Sequence, residues 1–427
     1  MNWFVGSYPF ALFMITTQEI TTRRYLSVRQ QSEKLCAPLE IEDFVAQPLV
    51  DVSPPRWHLA HTTWFFENFL LTPYGKNYKP FHPEYHFLFN SYYVQAGERW
   101  QRAERGYLTR PTVKEIFAYR KYVDEHMVEF LEHSNKKYEL ANVLELGLQH
   151  EQQHQELLLY DIKYILGHNP LFPIYVPRKE SENSAPPRNW YHVTSGNYSI
   201  GHSGEGFHFD NEEGDHTVFL HDFEIADSVV TKGEYLEFIE AGGYEDAVLW
   251  LDEGAKWVAE NEIKSPMYWM RDDQGWMEYT LNGLQPINFN DPITHVSFYE
   301  ADAFARWKGL RLPTEQEWEV ASKQICPTQP YNCNFVESEY HRPVQTGGND
   351  FWGNVWEWTS SPYRPYPFYK AAPGAIGEYN GKFMVNQMVL RGGSFGTSKD
   401  HIRLTYRNFF HPHLRWMFSG IRLARHI

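Results

Sequence analysis

Two histidines lie four residues apart in the stretch ELGLQHEQQHQELLLYDI, at positions 150 and 154. In a helix each residue advances by about 100° around the axis, which places His154 about 40° from His150 and Gln153 about 60° away on the other side. The three side chains then share one helix face, and histidines with this spacing are a recurring way to hold a divalent metal ion. Two ligands do not complete a site, so the pattern predicts a further ligand from another element.

The further ligand is not expected from the same helix. Glu151 and Glu156 fall at about 100° and about 240° on the same wheel, away from the histidine face. The best source is PPRWHLAHTTWFFENF, where His58 and His61 lie ahead of an apolar face. A single histidine is more often a surface or hydrogen-bonded core residue, but the two pairs together favour a metal site. Three imidazoles leave coordination positions open and suit Fe(II), Zn(II) or Ni(II), and spacing alone does not choose among them.

These histidines require a helical domain to position them. Residues 17–178 contain four long stretches with apolar positions three and four apart, which predict an up-and-down four-helix bundle. An irregular segment, TPYGKNYKPFHPEYHFLFNSYYVQAGERWQRAERGYLTRP, separates the second stretch from the third. Loops of this length are usually functional. We therefore expect a functional role for this segment.

The sequence pattern changes after the predicted bundle. Residues 179–189, KESENSAPPRN, have the composition of a linker. Residues 190–427 contain short β-like runs separated by Gly, Asn and Asp, with two clear helices in TKGEYLEFIEAG and SFYEADAFARWKG, which predicts a loop-rich α+β domain. Residues 1–16 form an apolar N-terminal extension without Lys or Arg, so neither a secretory signal nor a membrane span is expected there.

The composition excludes some classes of partner. The chain of 427 residues carries 39 Lys and Arg against 54 Asp and Glu, a net charge of −15, and we find no basic stripe, so nucleic acid is not expected as a partner. The three cysteines, Cys36, Cys326 and Cys333, are too few and too scattered for a disulfide framework, which favours a reducing cytoplasm. Aromatic residues make up 17% of the chain and would suit a pocket for a cation or a flat ring. Homo-oligomer formation stays open.

Both predicted domains carry motifs of a known family. PPRWHLAHTTWFFE, NSYY and HEQQHQELLL resemble the DinB-like bundle of the ergothioneine-biosynthesis sulfoxide synthases, which are non-haem iron enzymes also called hercynine oxygenases. RLPTEQEWEVA, GGNDFWGNVWEWTSSPY and VLRGGSF in the second domain are similar to the formylglycine-generating-enzyme (sulfatase-modifying-factor) domain, a C-type-lectin-like fold. The likeness covers nearly the whole chain beyond residue 20.

The resemblance implies a ligand set and a substrate set. The three iron-binding histidines of the family fall on His61, His150 and His154, which leaves a structural role for His58. The family's glutamine beside the substrate imidazole falls on Gln153, which helix geometry places on the same face. The implied substrates are hercynine, which is Nα-trimethylhistidine, a sulfur donor and O2. They are joined at the imidazole carbon with oxidation of the sulfur.

Further site residues follow from the same resemblance and from chemistry. A tyrosine near the iron would donate a proton or hydrogen atom and direct the reaction away from simple dioxygenation of the thiol, and the candidates are Tyr92 or Tyr93, which we favour, and Tyr363. Aromatic faces would hold the trimethylammonium group, and the family's hercynine-binding asparagine falls on Asn408. Arginines of the irregular segment would bind the carboxylate of the thiol substrate. The candidates for these substrate contacts are Trp356, Trp358, Tyr366, Phe409, Phe410, Arg99, Arg102 and Arg105.

Two departures from the wider pattern bear on the chemistry. Cys326 and Cys333 lie in CPTQPYNC, away from the C-terminal motifs, and do not match the cysteine pair of copper-binding formylglycine-generating enzymes, so oxidase chemistry of that kind is not expected. Family members that use γ-glutamylcysteine carry an acid after the R-N-aromatic triplet, where this chain has Phe410. A site without that charge would discriminate against the glutamyl arm, which predicts free L-cysteine as the sulfur donor.

Other interpretations stay open. A sulfoxide synthase of the ovothiol type, which acts on histidine itself at another ring carbon, is poorly separated by sequence. DinB-type metal-dependent thiol transferases also use three histidines, but those small proteins lack the second domain. A non-catalytic lectin-like module with a structural metal is a third alternative, and an open coordination position would count against it because structural sites are usually closed.

Overall fold

The computed structural model describes residues 22–91, 93–181, 184–185, 187–273, 275–347, 351–372, 377 and 379–427. The predicted extension 1–16 and Tyr92 lie outside these described residues. Within the described part, no helix is both long and apolar enough to cross a lipid bilayer.

Four long helices form the N-terminal domain, as the apolar periodicity predicts. Their bounds are Thr22–Cys36 for α1, Pro55–Phe66 for α2, Val113–His133 for α3 and Ala141–Gly167 for α4. Helix α2 begins at a proline, whose missing backbone N–H costs nothing in the first turn. A π-helical turn then prolongs α2. Helix α3 is capped by Thr112, whose hydroxyl accepts from the backbone N–H of Glu115.

Buried contacts fix how closely the helices approach. Gly147 of α4 faces α2, and a Cβ at this position would stand 2.7 Å from Cε1 of Phe66. On another side of α4, the Glu151 carboxylate accepts from Arg29 of α1 at 2.7 Å and from Arg120 of α3 at 2.6 Å. The glycine brings α2 and α4 together, and the buried ion pairs hold α1 and α3 against α4.

The irregular segment between α2 and α3 has a defined path. It contains short helical turns at Tyr85–Leu88 and Arg102–Tyr107. Between them, the Asn90 side-chain amide donates to the carbonyl of Tyr93 at 2.9 Å and to that of Gly97 at 3.2 Å. These side-chain bonds satisfy backbone carbonyls that have no helix or strand partner. Several side chains of the segment line the same cavity as the histidines.

The C-terminal domain contains twelve short strands within the described residues. Their bounds are Trp190–Val193 (β1), Gly196–Ile200 (β2), His216–Leu220 (β3), Phe223–Ala226 (β4), Trp269–Asp272 (β5), Gly275–Thr280 (β6), Gly283–Pro286 (β7), Trp356–Pro362 (β8), Met388–Arg391 (β9), Asn408–Phe410 (β10), Ser419–Gly420 (β11) and Ala424–His426 (β12). The sheets have the orders β1-β4-β12, β10-β9-β8-β11, β2-β3 and β5-β6-β7. All pairings are antiparallel except β8 with β11.

The same domain has two more helices than the sequence patterns predict. Helices α5 and α7, Lys232–Glu240 and Phe298–Trp307, match the two expected stretches. Helices α6 and α8, Asp252–Glu260 and Glu315–Ile325, were not expected. The expectation of only two clear helices was therefore wrong, whereas the order of a helical domain followed by a strand-rich domain is confirmed. The C-type-lectin likeness of the second domain stays a prediction.

Helix α4 belongs to both domains. One side packs in the bundle, and polar side chains on another side bond to the C-terminal domain. Gln149 Oε1 lies 2.6 Å from His401 Nδ1, and Gln152 Nε2 donates to Ser398 Oγ at 3.0 Å. Both bonds are buried, so the two domains share one continuous interior along this helix.

Candidate metal centre

Three imidazoles converge where α2 faces α4. One ring nitrogen from each of His61, His150 and His154 lies within 4.8 Å of the other two. His150 and His154 come from one face of α4, one turn apart, and His61 comes from α2. In the described part of the chain, no carboxylate or thiol completes this group.

Burial keeps the three rings neutral. It lowers the pKa of His150 to about 4. Burial, together with the neighbouring histidines, also holds the pKa of His61 and His154 well below the usual range. A neutral imidazole has one nitrogen lone pair to offer a metal. His61 Nδ1 donates to the carbonyl of Phe89 at 2.6 Å, which leaves the lone pair on His61 Nε2.

The residues present fit a divalent metal ion. His150 Nδ1 is buried and has no hydrogen-bond partner among the described residues. A buried polar atom without a partner is costly unless a ligand meets it. Neutral imidazoles from two helices are a donor set that first-row transition metals accept, and three of them leave further positions open.

His58, the other histidine of α2, contacts a member of the group. Its Nδ1 lies 2.9 Å from His154 Nδ1, and its Nε2 lies 2.9 Å from Asp161 Oδ2. Asp161 also accepts from the backbone N–H of Ser53 at 2.8 Å and from Trp416 Nε1 at 3.2 Å. His58 therefore links a buried carboxylate to one of the three imidazoles.

Glu151 and Glu156 of α4 point away from the three histidines, in agreement with the helical wheel. Glu151 lies in the bundle core with its two arginines. Glu156 faces the C-terminal domain, where its Oε1 accepts from Trp356 Nε1 at 2.7 Å. The three-histidine group therefore has no anionic protein ligand from this helix.

A cavity of about 200 Å³ borders the three histidines and is lined by both domains. Its wall includes Trp57, Tyr93, Arg102, Arg105, Gln153, Asn408, Phe409, Phe410 and Trp416. A second cavity, of about 340 Å³, shares Tyr93, His150 and Gln153 with the first and continues along Phe207 and Phe209. Sites of this kind, concave and mostly apolar with a few polar groups at a domain interface, are where small molecules commonly bind.

Apart from the arginines, four predicted substrate contacts lie in the wall of the first cavity. They are Gln153, Asn408, Phe409 and Phe410. Gln153 is part-buried, and among the described residues its amide has no hydrogen-bond partner. Asn408 lies on β10, and its Oδ1 accepts from the backbone N–H of Phe409 at 2.9 Å, which orients the amide.

The predicted tyrosines separate in space. Tyr93 is buried and lines both cavities. Tyr363 is buried behind Phe409: the two rings stack with centroids 4.1 Å apart, and the Tyr363 hydroxyl accepts from Asn211 Nδ2 at 2.8 Å. Tyr363 is absent from the wall of either cavity, whereas the position of Tyr92 is not described.

Three aromatic candidates are buried and lie outside the cavity wall. Tyr366 is buried, and its hydroxyl bonds to Arg391 Nη2 at 2.9 Å and Glu315 Oε2 at 3.2 Å. Trp356 and Trp358 are buried, and each indole N–H has a protein acceptor. All three side chains are therefore part of the core and not of the cavity wall.

The arginines of the irregular segment take three different positions. Arg102 lines the cavity and donates to the carbonyl of Asp51 at 3.0 Å. Arg105 is a buried part of the same wall and donates to Ser91 Oγ at 2.9 Å. Arg99 donates to the carbonyl of Ser91 at 2.9 Å and does not line the cavity.

Sequence reasoning does not single out Trp57 or Asp161, although both border the histidines. Trp57 stacks on His61 with centroids 4.5 Å apart and carries the Arg105 guanidinium 3.3 Å from its own centroid. A signal was present, because Asp161 follows His154 by two turns and falls about 20° from it on the wheel. Trp57 precedes His61 by one turn of α2, so it lies on the same face of that helix as the predicted ligand.

Two family models match the chain. The Sulfatase-modifying factor enzyme 1-like domain matches residues 177–427, and the DinB superfamily matches residues 24–158. Both matches agree with the two kinds of domain expected from the motifs. The finer boundaries, 17–178 and 190–427 with a linker between them, stay a prediction.

Known proteins resemble both parts. A hercynine oxygenase of Mycolicibacterium smegmatis is 31% identical over 308 residues, which are 65% of this chain and 70% of that protein. A hercynine oxygenase of Mycobacterium tuberculosis is 33% identical over 238 residues, 50% of this chain and 55% of that protein. A formylglycine-generating enzyme of Streptomyces coelicolor is 29% identical over 259 residues, 49% of this chain and 79% of that protein.

The match to the first relative extends over more than two thirds of that protein, and the sulfatase-modifying-factor domain covers more than half of this chain. The resemblance drawn from the motifs is thereby confirmed, together with the assignment of the protein as an enzyme. The chain belongs to the hercynine oxygenase family.

Proposed function

We propose that the protein is an Fe(II)- and O2-dependent sulfoxide synthase that joins the imidazole carbon of hercynine to the sulfur of L-cysteine. The observation that carries the proposal is the group of three neutral imidazoles beside a cavity lined by both domains. The reaction balances: one C–H and one S–H bond break, one C–S and one S–O bond form, and O2 supplies the sulfoxide oxygen and one water.

The metal would be held by His61, His150 and His154. Bound iron would supply a positive centre that lowers the pKa of a thiol and has positions for the thiol and O2. The protein keeps the three rings neutral by burial, so they stay available as ligands at neutral pH. Because no ligand of the group carries a charge, an anionic substrate sulfur has no carboxylate to compete with it.

Hercynine would lie against Gln153 and Asn408. The Gln153 amide shares the helix face of the two α4 histidines and can donate to or accept from an imidazole nitrogen. Asn408 faces it from the other domain, and Phe409 beside it offers a ring for the trimethylammonium group. Contacts from two domains would fix the ring carbon near the metal, which is the orientation that coupling requires.

The cysteine carboxylate would be bound by an arginine of the wall. Arg102 is the best candidate because it lines the cavity and is only part-buried, whereas Arg99 lies outside the wall. Phe410 also lines the cavity, and its ring cannot pair with the ammonium group of a glutamyl arm. These two features support free L-cysteine as the donor.

Tyr93 would hold the proton or hydrogen atom that directs the outcome. Its side chain is buried, and it lines both cavities together with His150 and Gln153. Tyr363 is separated from the first cavity by the ring of Phe409, which favours Tyr93 over Tyr363.

The proposal is tested by anaerobic reconstitution with Fe(II), addition of hercynine, L-cysteine and air, and mass analysis of the product. We expect hercynylcysteine sulfoxide, and we expect His154→Ala to lose both iron and product while remaining folded. His126→Ala, which changes a histidine of α3 outside the group, is the matched control.

Replacing one substrate at a time separates the alternatives. Faster coupling with histidine would indicate an enzyme of the ovothiol type, and a clear preference for γ-glutamylcysteine would contradict the assignment of the donor. Thiol transfer without consumption of O2 would overturn the proposed reaction class.

A further inference from the structure

A chain of two hydrogen bonds, one buried and one part-buried, leads from Asp161 through His58 to His154. The steps are 2.9 Å from Asp161 Oδ2 to His58 Nε2 and 2.9 Å from His58 Nδ1 to His154 Nδ1. Asp161 and His58 are each less than a tenth exposed. His58 precedes His61 on α2, and Asp161 follows His154 on α4, so the chain connects the two helices that carry the metal-binding rings.

The direction of donation is determined at Asp161. The backbone N–H of Ser53 and the indole N–H of Trp416 can only donate, so the carboxylate accepts from both. An ionised carboxylate has no proton to give, so His58 Nε2 donates to it as well. A neutral His58 then has its lone pair on Nδ1, and His154 Nδ1 must donate to that lone pair.

This direction leaves His154 with its lone pair on Nε2. We propose that His58 and Asp161 are positioning residues that hold His154 in the tautomer and ring orientation that bind the metal through Nε2. The inference rests on the proposed metal site and extends it, because neither residue is one of the three ligands. Outer hydrogen bonds of this kind fix the tautomer of metal-binding histidines and raise their basicity.

The tautomer of His61 is also fixed by a hydrogen bond on Nδ1, but there the acceptor is a backbone carbonyl. His61 Nδ1 donates to the carbonyl of Phe89, which no side-chain substitution removes. His154 depends instead on two side chains, so its orientation can be changed without removing a ligand. This difference makes the inference testable.

The first test replaces Asp161 by Ala in the full chain, which removes the acceptor that holds the His58 proton on Nε2. His58 can then carry its proton on Nδ1, and His154 would carry its own proton on Nε2, where it blocks the metal. We expect the dissociation constant for Co(II), used as a spectroscopic probe, to rise about 10–100-fold. Wild-type Co(II) affinity in Asp161→Ala would overturn the inference.

Asp124→Ala is the matched control. Asp124 also accepts two side-chain hydrogen bonds inside the bundle, from Tyr25 at 2.6 Å and from Arg29 at 2.7 Å, but among the described residues no hydrogen bond joins it to a histidine. We expect this variant to keep wild-type Co(II) affinity. Equal losses of affinity in the two variants would reveal a general weakening of the bundle and would overturn the positioning role.

A second measurement needs no variant to fold. The wild-type protein is labelled with 15N-histidine and loaded with Zn(II), and NMR is used to detect the scalar coupling between the two Nδ1 atoms of His58 and His154. This coupling identifies the two rings and shows which nitrogen carries the shared proton. We expect the shared proton on His154 Nδ1 and the metal on His154 Nε2, and the reverse would overturn the inference. Failure of wild type to bind Co(II) or Zn(II) would overturn the proposed metal site itself, so the two failures are distinguishable.

Discussion

In the proposed reaction, the hydroxyl of Tyr93 would direct the outcome. Replacing Tyr93 by Phe keeps the ring but removes the donor, so the product should shift from the coupled sulfoxide towards cysteine sulfinic acid. The ratio of the two products by mass spectrometry measures this shift. Tyr363→Phe is the control and should leave the ratio unchanged, because Tyr363 lies behind Phe409 with its hydroxyl bonded to Asn211. An unchanged ratio in Tyr93→Phe would exclude it as the donor.

Helical spacing predicts residues on one helix better than residues on loops. Because a wheel relates positions on the same axis, it placed His150, His154 and Gln153 together before any fold was known. It could not choose between His58 and His61, and the family resemblance was needed for that choice. The motif that contains Tyr366 predicts a place near the site, but a motif on a loop does not fix the direction of each side chain. In the structure, Arg391 and Glu315 hold its hydroxyl in the core.

The distance between α2 and α4 sets how closely His61 approaches the two histidines of α4. Gly147→Ala would place a Cβ 2.7 Å from Phe66 Cε1 and 2.9 Å from Phe65 Cε1. The gain in helix propensity, about 1 kcal/mol, is offset by overpacking that costs about 1–3 kcal/mol and pushes α2 outward. We expect weaker Co(II) binding, measured by titration of the apo protein, because His61 would move away from the α4 pair.

The control is Gly167→Ala at the far end of α4. A Cβ there would stand 2.7 Å from Tyr279 Cδ1, so the packing conflict is similar, but the site lies about 20 Å along the helix from His154. This variant should lose stability and keep its affinity for Co(II). Wild-type affinity in Gly147→Ala would show that the glycine does not control the approach of the ligands.

The two helices missed by sequence reasoning have different explanations. Helix α8 begins within RLPTEQEWEV, and its capping box, Thr314 with Glu317, is visible in the sequence, although the same residues also form the family motif. Helix α6 contains Gly254, which lowers helix propensity. The structure explains this glycine, since a Cβ there would stand 3.0 Å from Tyr299. Tertiary packing that requires a glycine cannot be read from propensity.

At the scale of the whole molecule, the site exists only because the domains share α4. The cavity takes its histidines from the bundle and much of its opposite wall from the C-terminal domain. Buried hydrogen bonds from Gln149, Gln152, Glu156 and Asp161 continue across the same interface. Separating the domains would expose apolar surface and break these bonds, so the arrangement of the site is coupled to the stability of the interface.

Lys163 makes that coupling visible as a pH dependence. It is buried where α4 meets the C-terminal domain, with Nζ 2.7 Å from His295 Nε2, and burial lowers its pKa to about 7. An exposed lysine has a pKa of about 10.4, so between about pH 7 and about pH 10 the unfolded chain binds, at this site, a proton that the folded chain lacks. Lys163 should therefore make the free energy of unfolding rise with pH, by up to about 1.4 kcal/mol per pH unit between about pH 7 and about pH 10. Urea unfolding at several pH values in this range should show a smaller rise of the free energy of unfolding with pH for Lys163→Met than for wild type. Lys121→Met, at an exposed position of α3, is the control and should keep the wild-type dependence on pH. Equal slopes in wild type and Lys163→Met would mean that Lys163 keeps its proton in the folded protein, and the interface would then contain a buried charge.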